Sequence, residues 1–173
     1  MDGLRGCGDD VGADDLRLYD PTNGRGTLAT PALKSLYVIG SLRNDIVPAV
    51  ATDLRLLGLD VFDDWYAAGP EADDYWKKYE QEKGLTYQEA LKGYAARHVF
   101  EFDKYHLDRC DAALLILPAG KSGHLELGYV SGRGKPTYIL LDENDVRWDV
   151  MYQFATKIFM NRGEMIEYFD RRD

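Results

Sequence analysis

The residues best equipped for chemistry cluster in Leu117-Pro-Ala-Gly-Lys-Ser-Gly-His-Leu-Glu-Leu-Gly-Tyr, where an apolar run breaks into a glycine-containing loop and a helix follows. Such a loop at a strand end points backbone N–H groups at a cleft, and the helix dipole favours negative charge there. The helix is expected to begin near Ser122 or Gly123, which places Glu126 in its first turn. A first-turn acid also has a plain use, complementing the dipole. The GxxxxGK[ST] spacing is absent, so this is not a Walker A loop. A second carboxylate, Asp103, precedes Asp111 by eight residues, about two helical turns; taken alone it is a solvated helix acid.

Two further loops carry polar chemistry. Gly40-Ser-Leu-Arg-Asn follows an apolar run and lacks GxGxxG, so no dinucleotide fingerprint is present. Gly40, Ser41 and Arg43 can nevertheless hold a sugar or phosphate; the plainer reading is a turn capped by Asn44 or Asp45. Asp63-Asp-Trp-Tyr joins carboxylates to aromatic faces, a combination suited to a nucleobase, with Asp63 as acceptor and Trp65 as stacking partner. The plainer reading there is a surface loop with half-buried aromatics. His98, His106 and His124 share no metal-ligand spacing; they read as structural, surface and site-edge residues respectively. Cys7 and Cys110 form no zinc or disulfide framework, and Cys110 reads as a small buried hydrophobe.

These loops need elements to hold them. Ser35-Leu-Tyr-Val-Ile-Gly reads as a buried strand, and Pro48 opens a helix that Gly58 closes. Leu59-Asp-Val-Phe-Asp is a second strand, giving β-α-β with a right-handed crossover. A polar and aromatic segment spans Asp63 to about Lys83, and Thr86 to Leu107 reads as one helix. Asp111-Ala-Ala-Leu-Leu-Ile-Leu is a strand, Gly123 to Gly132 a helix, Pro136-Thr-Tyr-Ile-Leu-Leu a strand, and Arg162 to Arg171 a closing helix. The alternation predicts a doubly wound α/β fold, a mainly parallel sheet sandwiched by helices in the flavodoxin or Rossmann manner. Ligands of such sheets lie beyond the C-terminal strand ends. That rule selects Gly40–Asn44, Asp63–Tyr66, Pro118–Glu126 and Asp142–Met151.

The chain has 173 residues, close to one domain, with 45% hydrophobic and 29% charged residues. Residues 1–33, rich in Gly, Asp and Pro, read as a flexible or loosely docked arm, and 34–173 as the single α/β domain. A formal charge of -9 opposes binding to a nucleic-acid backbone. No stretch reaches the ~18 apolar residues that span a bilayer, and the N-terminus has no apolar signal core. A cytoplasmic, reducing setting is expected.

Tyr37-Val-Ile-Gly-Ser, Asp103 with Asp111 eight residues on, and Gly123-His-Leu-Glu-Leu-Gly-Tyr, followed by Gly134-Lys-Pro, together resemble the nucleoside 2-deoxyribosyltransferase family over about residues 35–160. The resemblance implies that Glu126 attacks the anomeric carbon and forms a glycosyl-enzyme ester. It implies that Asp103 handles the departing base and that Tyr37 positions Glu126 through its hydroxyl. Asp149-Val-Met151 is similar to an Asn-x-Met segment that a neighbouring subunit contributes to the sugar site, with Asp in place of Asn. Gly120 stands where the transferases carry an aspartate six residues before the nucleophile. Gly40-Ser-Leu-Arg43 resembles a segment of the related 2'-deoxynucleoside 5'-phosphate N-hydrolases, which place serines and an arginine around the phosphate. The expected substrates are a small nucleoside or nucleotide and a free nucleobase, handled by a homo-oligomer with a shared site and without metal or organic cofactor. Hydrolysis of a nucleoside 5'-monophosphate is the alternative activity, and a non-catalytic nucleotide sensor the alternative class.

Overall fold

Three runs of the chain are apolar at nearly every position because both their faces are buried, and these form the centre of the sheet. In the computed structural model, which describes residues 33–142 and 148–171, they are β1 (Ser35–Ile39), β3 (Ala112–Ile116) and β4 (Thr137–Leu140). Short strands β2 (Asp60–Phe62) and β5 (Lys157–Phe159) form the edges. The order is β2-β1-β3-β4-β5 and every pairing is parallel. The expected N-terminal arm falls, apart from Leu33, outside the described residues, as do 143–147 of the loop after β4.

The fold is doubly wound. Helices α1 (Val47–Leu56) and α6 (Arg162–Asp170) cover one face, burying Leu36, Val38, Leu54, Phe159 and Phe169. Between β2 and β3 come α2 (Ala72–Glu82), α3 (Tyr87–Ala90) and α4 (Tyr94–Arg109). Helix α4 and the later α5 (Lys121–Gly132) cover the other face, burying Tyr37, Ile39, Leu107, Leu127 and Val130. Connections leave β1 and β3 toward opposite faces, so the crevice at their C-terminal ends is the topological switch point.

Two expectations need correction. The single helix expected from Thr86 to Leu107 is two helices: Thr86 and Glu89 close a capping box on α3, and Gly93, in extended conformation, starts α4. Helix α5 begins at Lys121 rather than at Ser122 or Gly123 because Gly120 is its extended N-cap. Glu126 therefore lies in the second turn, beyond the reach of a dipole-complementing role.

Helix α5 approaches the sheet closely at Gly123. A Cβ there would lie 3.0 Å from Ile39 Cγ2 and 3.1 Å from Leu115 Cδ1, both fixed in buried strands. Gly123→Ala is expected to lower unfolding free energy by about 1–3 kcal/mol through overpacking. Urea denaturation with an unchanged m-value measures it.

The strand starts are also pinned. Asp111 Oδ2 accepts from the backbone N–H groups of Lys34 and Ser35 and from the Ser35 hydroxyl, at 2.9–3.0 Å, tying β1 to β3 at their N-terminal ends.

Candidate active site

Tyr37 lies on β1, Asp103 on α4 and Glu126 on α5, and all three gather on the α4/α5 face of the sheet. Tyr37 is 1% exposed; the two acids are half-buried. Burial, with the Asp103 charge adding to it, pushes the Glu126 carboxyl up to about 7. Burial also raises the Asp103 carboxyl. The Tyr37 phenol is held far above its ordinary range, first by burial and then by the charges of Glu126 and Asp103. The three groups thus act on one another through space, while no hydrogen bond links Tyr37 to Glu126 among the described residues. Burial and the nearby Asp103 charge thus both favour the neutral form of the Glu126 carboxyl.

Aromatic packing sets the floor of this site. Tyr37 lies 5.0 Å from Phe62, ring to ring, and Phe62 stacks on His106 at 3.7 Å and 10°. His106, expected at the surface, is half-buried, its Nδ1 is enclosed without a partner, and burial lowers its pKa. His98, expected to be structural, is exposed. The two lie eight residues apart on α4, and only His106 turns toward the sheet.

The loops after β1 and β3 meet at the switch point. Asn44, 6% exposed, donates from Nδ2 to the Pro118 carbonyl at 3.2 Å and accepts from Ile46 N–H at 3.3 Å. This brings the loop of Gly40, Ser41 and Arg43 beside the segment that leads through Gly120 into α5. Ser41 accepts from Arg43 N–H at 3.2 Å, and Arg43 reaches Asp74 on α2 at 2.8 Å, both side chains largely exposed. A pair that exposed holds by at most about 1 kcal/mol, so an incoming anion can replace Asp74.

Two residues expected to meet a base are engaged within the fold. The Trp65 indole N–H donates to the Val38 carbonyl at 2.8 Å, and its ring covers Gly40, where a Cβ would stand 3.4 Å from Cη2. Asp63 is ion-paired with Arg55, which also donates to the Val61 carbonyl at 3.0 Å.

His124, Gly120 and Asp149 turn elsewhere. They line a cleft of about 720 Å3 with Lys121, Leu125, Asp142 and Tyr152, and none of Tyr37, Asp103 or Glu126 lines it. His124 has Nδ1 2.9 Å from the Gly120 carbonyl and Nε2 3.3 Å from the Tyr152 hydroxyl. Asp149 caps a 3-10 turn by accepting from Met151 N–H at 3.0 Å, and Met151 is exposed. Gly120, Lys121, His124 and Leu125 thus face this cleft. Among the described residues, no group of three or more His, Cys, Asp or Glu side chains is arranged to hold a metal ion.

No family model and no curated protein matches the sequence. Solved structures do. A 2-deoxyribosyltransferase from the psychrotolerant bacterium Bacillus psychrosaccharolyticus is 18% identical, with TM-score 0.55 over 80% of this chain and 92% of that one. A conserved protein from Enterococcus faecalis V583 is 13% identical, with TM-score 0.54 over 82% of this chain and 100% of that one. The Clostridium botulinum CMP N-glycosidase BcmB, 14% identical, superposes with TM-score 0.49 over 79% of this chain and 99% of that one. At these identities the likeness is one of architecture, and this chain has the doubly wound, parallel α/β fold of the Bacillus 2-deoxyribosyltransferase.

Proposed function

We propose that this chain is an enzyme of the nucleoside 2-deoxyribosyltransferase kind, which cleaves the N-glycosidic bond of a deoxynucleoside and passes the sugar to another base. The observation that carries this reading is the Glu126–Asp103 pair beside Tyr37, with Glu126 held at about 7. In the first step a Glu126 carboxylate oxygen bonds to the anomeric carbon as the C–N bond breaks. The bond's electron pair goes to the base nitrogen, which takes a proton from Asp103. In the second step the acceptor base nitrogen attacks the same carbon, its proton returns to Asp103, and the ester electrons return to Glu126. Tyr37 lends its hydroxyl to the carboxylate as the charge on Glu126 changes.

The test is chromatography of purified protein with deoxynucleosides and their 5'-monophosphates, each with and without a free base. A new nucleoside formed only when a second base is present is the expected result. Free base released only from monophosphates would replace it with the second reading, a 5'-monophosphate N-glycosidase. That reading draws on Arg43 and Lys121 standing exposed, one on the loop after β1 and the other at the start of α5, with Asn44 tying the first loop to Pro118. No turnover on any member of the panel would leave a nucleotide sensor.

A homo-oligomer belongs to the same reading. The first two turns of α4 are largely solvent-exposed, and Tyr94, Val99, Phe100, Phe102 and Tyr105 are all exposed. Leu125, Val150, Met151 and Phe154 add further uncovered apolar surface. Apolar helix surface of that extent calls for a partner, and a second copy is the one proposed. Size-exclusion chromatography with light scattering is expected to give at least a dimer, which Phe100→Glu dissociates.

A further inference from the structure

We propose that Asp108 and Tyr129 are positioning residues, whose hydrogen bond fixes the spacing of α4 and α5 and so the separation of Asp103 from Glu126. What that separation is for rests on the proposed function; the separation itself does not. Both helices run antiparallel to the strands they connect, so they lie side by side and parallel. Descending from the site, Asp108 comes five residues after Asp103, about 7.5 Å along α4. Tyr129 comes three residues after Glu126, about 4.5 Å along α5. The brace therefore sits just beneath the carboxyl pair.

Its construction is specific. The Tyr129 hydroxyl donates to Asp108 Oδ1 at 2.6 Å, a side-chain hydrogen bond between the two helices. Lys104 holds the other carboxylate oxygen, and its Nζ lies 5.3 Å over the Tyr129 ring. Arg133 brings Nε to 3.6 Å from Asp108 Oδ1, donates to the Tyr129 hydroxyl at 3.3 Å, and places Cζ 5.6 Å from the same ring. One phenol and one carboxylate thus share two cations. The lower end of α4 cannot drift either. Lys135 Nζ donates to the carbonyls of Leu107, Asp108 and Cys110 at 3.2, 2.5 and 2.7 Å. Lys104 and Tyr129 hold the Asp108 carboxyl below its ordinary range, so the brace stays charged wherever the site titrates. A merely decorative surface pair would not join the two helices that each carry an acid of the site.

The readout is the titration of Glu126 itself, followed by carbon NMR of carboxyl-labelled protein and assigned with Glu126→Gln. The ionisable groups bearing on it are Asp103 from α4 and Tyr37 from β1. Tyr129→Phe removes no charge, yet it is expected to lower the Glu126 midpoint by about half to one pH unit, because a wider gap admits water and weakens repulsion. Asp108→Ala is expected to do the same, and Asp108→Asn, which keeps an acceptor for the phenol, to restore most of the midpoint. Arg171→Ala, which breaks an ion pair on α6, is expected to leave it unchanged. An unmoved midpoint in folded Tyr129→Phe overturns the proposal, and so does failure of Asp108→Asn to restore it. A shifted midpoint in a protein without turnover upholds the brace while defeating the proposed enzyme.

Discussion

Glu126→Gln is expected to abolish turnover, by at least about a thousandfold, while making the folded protein more stable at neutral pH. The two effects have one cause. Glu126 is the group that must bond to the anomeric carbon, and the amide cannot form the ester. The same carboxyl is held at about 7 in the fold against an ordinary 4.5, so its ionisation works against folding. Between those pH values the native state keeps a proton that the unfolded chain has lost, and stability falls as pH rises through that window. Above about 7 the full penalty, up to about 3 kcal/mol, is present. The neutral amide does not carry it. Thermal melts should therefore separate the two proteins by several degrees at pH 8, and the gap should close by pH 5. A variant that keeps its rate removes the covalent step. A variant no more stable at pH 8 than the parent shows that Glu126 ionises there without strain.

That the Asp103 charge acts on Glu126 was legible only through resemblance, since each alone is an unremarkable helix acid. The sheet was legible from chemistry alone. Strands β1, β3 and β4 are buried on both faces, and burial leaves a continuous apolar run in the sequence. Strand β5 was not, because Lys157-Ile-Phe159 is three residues at an edge and carries no period. The break between α3 and α4 had a signal in Thr86-x-x-Glu89, which the longer helical pattern overrode. The loops gave up their residue types but not their partners. Arg43, Asp63 and Trp65 look free in sequence, and each is met by a group at least eight residues away: Asp74, Arg55 and the Val38 carbonyl. Pairings of that range depend on how loops pack, which no local pattern encodes. The same holds for Asp108 and Tyr129, twenty-one residues apart and brought together only by neighbouring helices.

Asp103→Asn is expected to change the shape of the pH profile as well as its height. A carboxyl pair sharing one proton is reactive in the singly protonated form, with one member attacking and the other protonating the leaving base. The kcat/KM of the parent protein should then be bell-shaped, with its alkaline limb set near the upper value of the pair, about 7. Removing the Asp103 charge removes the repulsion that helps to raise Glu126, so the remaining carboxyl ionises at lower pH. It also removes the proton donor. The variant should lose about 10²–10⁴ in rate, most for bases that leave poorly and least for those that need no proton. Its alkaline limb should disappear, leaving activity that rises with pH to a plateau as Glu126 ionises. Uniform slowing across good and poor leaving bases, with the alkaline limb retained, would reduce Asp103 to a positioning residue. It would also require a different proton donor for the base.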